Sequence, residues 1–240
     1  MSFPIILFIV AVLAGSIASL AGFGIGSFLT PLLAFKTGIS VAVAGVSIAH
    51  LCGTALRFLL LRKFINLKVL VSFGFTSAAG GIAGALLHNW FQNVVLTLIF
   101  SCLLILAGLL GLTGLSDRII FKGPLIWLAG GVSGLFGGLV GNQGGIRSAA
   151  LLGFKLDKNQ FVATATGIAL MVDVARVPVY LATQWTELKT IWQFILIMVL
   201  AVFLGTLGGK QVLEKLPESI FKKTISAAIL AIGVIILIQS

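Results

Sequence analysis

Apolar residues recur in runs of about 20 along the whole chain, with short polar stretches between them. Within each run the apolar residues are continuous rather than alternating, which is typical of membrane-spanning helices and not of barrel strands. The runs cover residues 4–35, 39–61, 67–87, 93–115, 124–154, 160–181, 190–208 and 221–238. We therefore predict an all-α polytopic membrane protein that is surrounded by the lipid bilayer.

Composition excludes several classes of protein. Hydrophobic residues make up 59% of the 240 residues and charged residues only 9%, whereas about 25% of the residues of a soluble domain are charged. Because so few polar side chains cannot cover a soluble globule, we exclude a soluble domain, a disordered chain and a nucleic-acid-binding protein. Cys52 and Cys102 lie far apart in apolar runs, and the sequence contains no recognisable nucleophile–base pair or metal-ligand cluster. We predict neither enzyme activity nor a cofactor.

Two of the runs are too long for a single membrane crossing and are interrupted by glycines. Residues 4–35 would form a helix of about 48 Å, against a hydrocarbon core of about 30 Å. The interruptions are Gly22, Gly24 and Gly26 in the first run, and Gly137, Gly138, Gly141, Gly144 and Gly145 in the second. We predict that each run folds back as a re-entrant hairpin whose two legs have about 16 residues each.

The two halves of the chain resemble each other. Residues 13–20 align with residues 128–135 at an offset of 115, whereas Arg57 aligns with Arg176 at an offset of 119. The change of offset predicts four extra residues at the second glycine tip. The predicted units are a first repeat of residues 1–116, a connector of residues 117–123 and a second repeat of residues 124–240.

Positive charge predicts how the repeats lie in the membrane. If both glycine-broken runs are hairpins, eleven of the sixteen Lys and Arg residues share one face, two lie on the other face and three lie inside apolar runs. If each run crossed once, the two faces would carry six and seven. Because cytoplasmic loops are rich in Lys and Arg, we predict that each repeat is a hairpin followed by three transmembrane helices. The repeats are then inverted, and both termini lie outside.

The glycine tips are the predicted binding site. A half-helix begins after each tip, and its free N–H groups and positive dipole end favour an anion. The alternative is that the glycines only allow close helix packing, which we prefer for Gly15, Gly84, Gly108 and Gly205. The candidate substrate-binding residues are Gly22, Gly24, Gly26, Ser27, Thr30, Gly141, Asn142, Gln143, Gly144, Gly145, Arg147 and Ser148.

Five ionisable residues lie within the apolar runs, and their charges also favour an anion. Arg147 follows the second tip directly, and a buried arginine needs an anionic partner. With His50 neutral, the five residues sum to +2. His50, Arg57, Asp173 and Arg176 are candidates for coupling or gating. As alternatives, Arg57 and Arg176 extend to the membrane interface, and Asp173 pairs with Arg176 on one helix face.

The glycine motifs carry a resemblance to a known family. The sequence Gly22-Phe-Gly-Ile-Gly26 followed by Pro31-Leu-Leu33, and the second-half sequence Gly137-Gly-Leu-Val-Gly141-Asn-Gln-Gly-Gly145, resemble the paired motifs of the TauE/SafE sulfite exporter family. This family is also called the TSUP or anion permease family. The resemblance covers nearly the whole chain. It implies secondary transport of a sulfur-containing anion, such as sulfite or a sulfonate, across a bacterial inner membrane.

Two other functions fit the same pattern. Opposed re-entrant tips also occur in channels, so a channel for small anions or neutral solutes is one alternative. A membrane assembly factor without transport activity is the other. The expected partners are a small anionic substrate and lipid, with protons as a candidate coupling ion and an oligomer as a candidate assembly.

Overall fold

The computed structural model describes residues 2–91, 93–115, 123–141, 144, 147–148, 151, 154, 156–213 and 218–239. Ten α-helices lie in these ranges: α1 (Phe3–Ala21), α2 (Ile25–Thr37), α3 (Ile39–Leu61), α4 (Leu67–His88), α5 (Asn93–Thr113), α6 (Leu125–Val140), α7 (Lys158–Thr183), α8 (Trp185–Thr190), α9 (Trp192–Leu213) and α10 (Glu218–Gln239). A short 3-10 turn, Arg62–Phe64, follows α3. The described residues contain helices and no strand, as the continuous apolar runs predict.

Five helical segments are long and apolar enough to cross a membrane: Phe3–Ala21, Ile39–Phe64, Leu67–His88, Asn93–Thr113 and Asn159–Thr183. Shorter apolar segments lie in α6, α9 and α10. Large apolar side chains such as Phe75 and Leu128 are more than 60% exposed on the outer surface of the bundle. A surface of this kind suits lipid and not water. The all-helical, multi-pass membrane class predicted from the sequence is therefore confirmed.

Glycines end the first leg of each broken run. Gly22 caps α1 with φ 76°, and Gly141 caps α6 with φ 75°. Both are left-handed conformations that glycine adopts without steric cost. The two caps are 119 residues apart, which is the offset of Arg57 and Arg176. The offset of 115, which would have paired Gly22 with Gly137, is wrong at the caps. The four extra residues were predicted around residues 142–145, a stretch that lies largely outside the described residues.

The first broken run returns to the end at which it began. The Lys36 ammonium, near the end of α2, lies 5.5 Å from the centre of the Phe3 ring at the start of α1. The same Phe3 ring lies 5.3 Å from the ring of Phe194, near the start of α9. The legs differ in length, because α1 has 19 residues and α2 has 13, against the predicted 16 or so each. By length alone, α1 could cross the membrane.

Helices pack in close pairs through small residues. The pairs α1 with α9, α4 with α6, α5 with α10 and α3 with α7 make extensive contacts. Adding a Cβ atom would cause a collision with the neighbouring helix at each of the four glycines that the sequence assigns to packing: Gly15, Gly84, Gly108 and Gly205. Serines reinforce two of the pairs, since Ser16 donates to the Gly205 carbonyl at 3.1 Å and Ser77 to the Gly130 carbonyl at 2.9 Å. The packing role predicted for the four glycines is confirmed.

Candidate functional site

The structure brings the two glycine tips into direct contact. A Cβ atom on Gly26 would collide with the Gly141 carbonyl oxygen, so the first turn of α2 lies against the cap of α6. A Cβ atom on Gly144 would lie 2.6 Å from the Phe23 Cβ. Two runs that are more than a hundred residues apart in the chain therefore meet at the residues that the sequence singles out.

The tips overlap along the bundle and do not meet end to end. Gly22 lies near Val162, close to the start of α7, whereas Gly141 lies near Val43, close to the start of α3. The helices α3 and α7 run antiparallel, because His50 contacts Asp173 while the turn before α4 contacts Thr164, near the start of α7. The contact of Gly22 with Val162 corresponds to the contact of Gly141 with Val43. Val43 and Val162 are 119 residues apart, as are the two caps.

A small cavity lies between the tips. Its volume is about 10 Å³, which is near the minimum that holds one water molecule. The lining residues are Phe23, Gly24, Gly26, Ser27, His50, Gly141, Gly144 and Arg147. All of them except Phe23 are residues that the sequence predicts for the site or for coupling.

Arg147 is fully enclosed at this cavity, with 1% of its surface exposed. Its Nη2 atom donates to the Gly22 carbonyl at 3.0 Å, which joins one tip to the other. Its Nε and Nη1 atoms have no hydrogen-bond partner among the described residues. The Thr30 and Ser148 hydroxyls, which follow the first and the second tip, are also buried without a partner among the described residues. Buried polar groups are nearly always paired in native proteins, so these four groups require an explanation.

Asp173 is the centre of a buried polar cluster that includes the cavity residue His50. It accepts a hydrogen bond from His50 Nδ1 at 2.6 Å and one from Arg176 Nε at 3.0 Å. The Nη2 atom of Arg176 lies 2.9 Å from the same carboxylate oxygen as its Nε. The predicted pairing of Asp173 with Arg176 is therefore confirmed. The alternative in which Arg176 and Arg57 extend to the interface is wrong, because each is only 2% exposed.

Arg57 has fewer partners than its counterpart in the second half. Its Nη2 atom lies 3.5 Å from the Thr54 hydroxyl, and its Nε and Nη1 atoms have no partner within the described part of the chain. Thr54 donates to the His50 carbonyl at 2.5 Å, and its hydroxyl lies 3.2 Å from His50 Nδ1. A chain of polar atoms therefore connects Arg57 to the histidine at the cavity.

The sequence analysis missed two of the three side chains that complete the end of α6, Tyr180 and His88. The carbonyls of Gly137, Gly138 and Leu139 accept hydrogen bonds from Arg176, Tyr180 and His88, in that order. The last carbonyls of a helix have no partner within the helix, and none is available from lipid. Tyr180 is the chain's single tyrosine and follows Arg176 by one helical turn, which was the available signal.

Three predicted site residues, Asn142, Gln143 and Gly145, lie outside the described residues. The remaining nine predicted substrate-binding residues are within the described ranges and lie along the two helix breaks.

Comparison with known proteins places this arrangement among membrane transporters. The family described as "Sulfite exporter TauE/SafE" matches residues 7–236. A protein named "Probable membrane transporter protein YfcA" in Escherichia coli strain K12 is 32% identical over 228 residues, which cover 88% of this chain and 81% of the relative. The protein of the same name in Escherichia coli O157:H7 matches to the same extent. No solved structure matches this chain.

Proposed function

We propose that this chain, which belongs to the sulfite exporter TauE/SafE family, is a secondary transporter of a small sulfur-containing anion. The anion, of the sulfite or organosulfonate class, is bound between the two glycine tips and crosses the bacterial inner membrane. Arg147 neutralises its charge, and the hydroxyls of Ser27, Thr30 and Ser148 are positioned along the helix breaks to donate to its oxygens.

The observation that supports this proposal most strongly is the set of buried polar groups without partners. Eight buried side-chain atoms of the described residues lack a hydrogen bond, and six of them belong to Thr30, Arg57, Arg147 and Ser148. All six lie on residues that the sequence predicts for binding, coupling or gating. Because leaving a buried donor unpaired costs about 1–3 kcal/mol, and more for a charged group, an oxyanion with several acceptor oxygens is the ligand that these donors favour.

The pattern of helix packing supports two structural repeats, and the antiparallel arrangement of the equivalent helices α3 and α7 supports their inversion. In the two repeats, α1 is equivalent to α6, α3 to α7, α4 to α9 and α5 to α10. The packing of α1 on α9 then corresponds to that of α6 on α4, and the packing of α3 on α9 corresponds to that of α7 on α4. All four contacts are present. We place both termini and Lys36 outside and the connector inside, because this arrangement puts most of the positive charge on the cytoplasmic face.

The small cavity favours a transporter over an open channel. A volume of about 10 Å³ holds one water molecule at most, so a sulfur oxyanion enters only if the tips move apart. The legs that end at Gly22 and Gly141 pack on different helices: α1 packs on α9, and α6 packs on α4. Each leg can therefore move together with its partner helix. Alternate exposure of one site by such movements is the mechanism common to transporters with inverted repeats.

The His50–Asp173 pair provides a route for coupling to protons. His50 lines the cavity, and its Nδ1 is held by a carboxylate that also holds Arg176. A histidine changes charge near neutral pH, so a proton and an anion can be bound at neighbouring positions.

Electrophysiology on solid-supported membranes tests the transport function. The purified full chain in liposomes is exposed to sulfite, thiosulfate, small sulfonates, carboxylates and chloride, with and without a pH gradient. Saturable currents for a sulfur oxyanion are expected. Silence for every anion, together with no exchange of labelled sulfite between the two sides of the liposome membrane, would contradict the proposal and favour the assembly factor.

A further inference from the structure

The two halves of the chain contain a matched pair of buried arginines that have different partners. Arg176 follows Asp173 by three residues, and Arg57 follows Thr54 by three residues. Thr54 precedes Asp173 by 119 residues, and Arg57 precedes Arg176 by the same number. Thr54 is therefore the first-half equivalent of Asp173. Arg176 consequently has a carboxylate partner, whereas Arg57 has a hydroxyl at 3.5 Å.

This difference leaves two buried positive charges without a carboxylate. Arg57 and Arg147 each have an unpartnered Nε and Nη1 and no carboxylate contact among the described residues. A buried charge without a paired counter-charge is costly in a protein interior, and both guanidinium groups are almost completely buried. A pair of like charges is retained in such a place only if something else balances it.

Arg57 is close to the cavity although it does not line it. Its guanidinium reaches back along α3 to Thr54, whose hydroxyl is 3.2 Å from the Nδ1 of His50, a lining residue. The Arg57 donors reach the cavity only if the His50 and Thr54 side chains move aside. The two arginines without a carboxylate contact therefore come from different halves of the chain, Arg57 from α3 and Arg147 from the second glycine tip.

We infer that Arg57 is the second anion-binding arginine of the site, and that the site therefore selects a doubly charged sulfur oxyanion over a singly charged sulfonate. This inference rests on the proposed function and deepens it. Arg147 holds the anion from the second tip, and Arg57 balances its second negative charge from α3. Arg176 is balanced internally by Asp173 and does not contribute to charge selection.

Anion binding to the purified full chain tests the inference. Dissociation constants are measured for thiosulfate, a dianion, and methanesulfonate, a monoanion. We expect the wild-type chain to bind thiosulfate at least about tenfold more tightly. Arg57→Gln should remove most of this preference while leaving the affinity for methanesulfonate little changed, because Arg147 still neutralises a single charge.

Two further variants separate charge from folding. Thr54→Asp supplies the missing carboxylate, so it should remove the dianion preference although Arg57 is still present. Thr54→Asn introduces an uncharged side chain of the same size as Asp and should retain the preference. The melting temperature is measured for each variant.

The possible failures are distinguishable. A wild-type chain that binds neither anion, and no sulfite, would contradict the proposed function. A wild-type chain that binds these anions, but whose preference is unchanged by both Arg57→Gln and Thr54→Asp, would overturn the role of Arg57 and leave the transport function intact.

Discussion

At the scale of single residues, the site is defined by which buried charges are balanced. Asp173 balances Arg176 and also holds His50, so this cluster is satisfied. Arg147 and Arg57 retain free donors in the described part of the molecule. The same residue type therefore has a stabilising role at one position and a proposed binding role at two others, and stability measurements distinguish these roles.

Asp173→Asn should lower the free energy of unfolding by about 3–5 kcal/mol, because it leaves the Arg176 charge buried without its partner. Asp157→Asn is the matched control. Asp157 is exposed and caps α7, since its carboxylate accepts a hydrogen bond from the backbone N–H of Gln160 at 2.9 Å. Asn is an equally good cap. The control should therefore change stability by less than about 0.5 kcal/mol. Unfolding of the full chain in detergent provides the measurement, and equal effects of the two substitutions would contradict the assignment.

His50→Gln should abolish the effect of a pH gradient on anion flux, because it removes the only imidazole among the described lining residues of the cavity. Exchange of labelled sulfite across liposomes without a gradient should continue, since that exchange needs no proton movement. The two rates are compared in one preparation. If pH-driven flux persists when both His50 and Asp173 are replaced, proton coupling through this pair is wrong.

At the scale of helices, close contact through glycine determines how the tips are held. The cap of α6 is fixed by its packing on α4, where Gly134 faces the Ser77 carbonyl so closely that a Cβ atom would collide with it. On the same helix, a Cβ atom on Gly131 would meet nothing within 4 Å. Substituting Gly134 should therefore disturb the packing, whereas substituting Gly131 should not, although the sequence alone does not distinguish the two glycines.

Gly134→Ala should separate α6 from α4 and lower the melting temperature, with a loss of about 1–3 kcal/mol from overpacking. Gly131→Ala should be neutral or raise stability by up to about 1 kcal/mol, because alanine favours the helix. Thermal unfolding of both variants in the same detergent makes the comparison. Similar losses for the two substitutions would show that the contact between α4 and α6 is not the cause.

The sequence predicted the helices and most of the cavity lining because both leave local signals. Long apolar runs, glycine clusters and a charged residue within an apolar run are visible in one dimension, and they indicated Gly26, Gly141 and Arg147. Partners such as Tyr180 and His88 were missed because a hydrogen bond to a distant carbonyl leaves no periodic pattern. The offset at the caps was misassigned because α6 contains several glycines, and only the backbone conformation identifies Gly141 as the cap.

At the scale of the whole molecule, the proposal depends on the inversion of the two repeats. Inverted repeats place the tips on opposite sides of one cavity, and we propose the inversion from the number of positive charges in the loops. Lys63, after α3, and Lys189, after α7, occupy corresponding ends of the two repeats and are both exposed. Inverted repeats place these two residues on opposite faces of the membrane.

Single cysteines at these positions test the inversion. In a chain with Cys52→Ala and Cys102→Ala, a membrane-impermeant thiol reagent applied to intact cells should label Lys189→Cys and not Lys63→Cys. In inverted membrane vesicles the result should be reversed. Labelling of both positions from the same side would show that the halves are parallel, and the site between opposed tips would lose its basis.

Equilibrium binding of labelled sulfite to the purified chain is the most direct test of the central claim, which is that an anion is held between the glycine tips by Arg147. The wild-type chain should bind sulfite saturably. Arg147→Gln should weaken binding at least about tenfold, the loss expected for one charge-assisted contact. Arg62→Gln, which removes an exposed arginine outside the site, should leave binding unchanged. Equal sulfite affinity in the wild-type chain and Arg147→Gln would contradict the account.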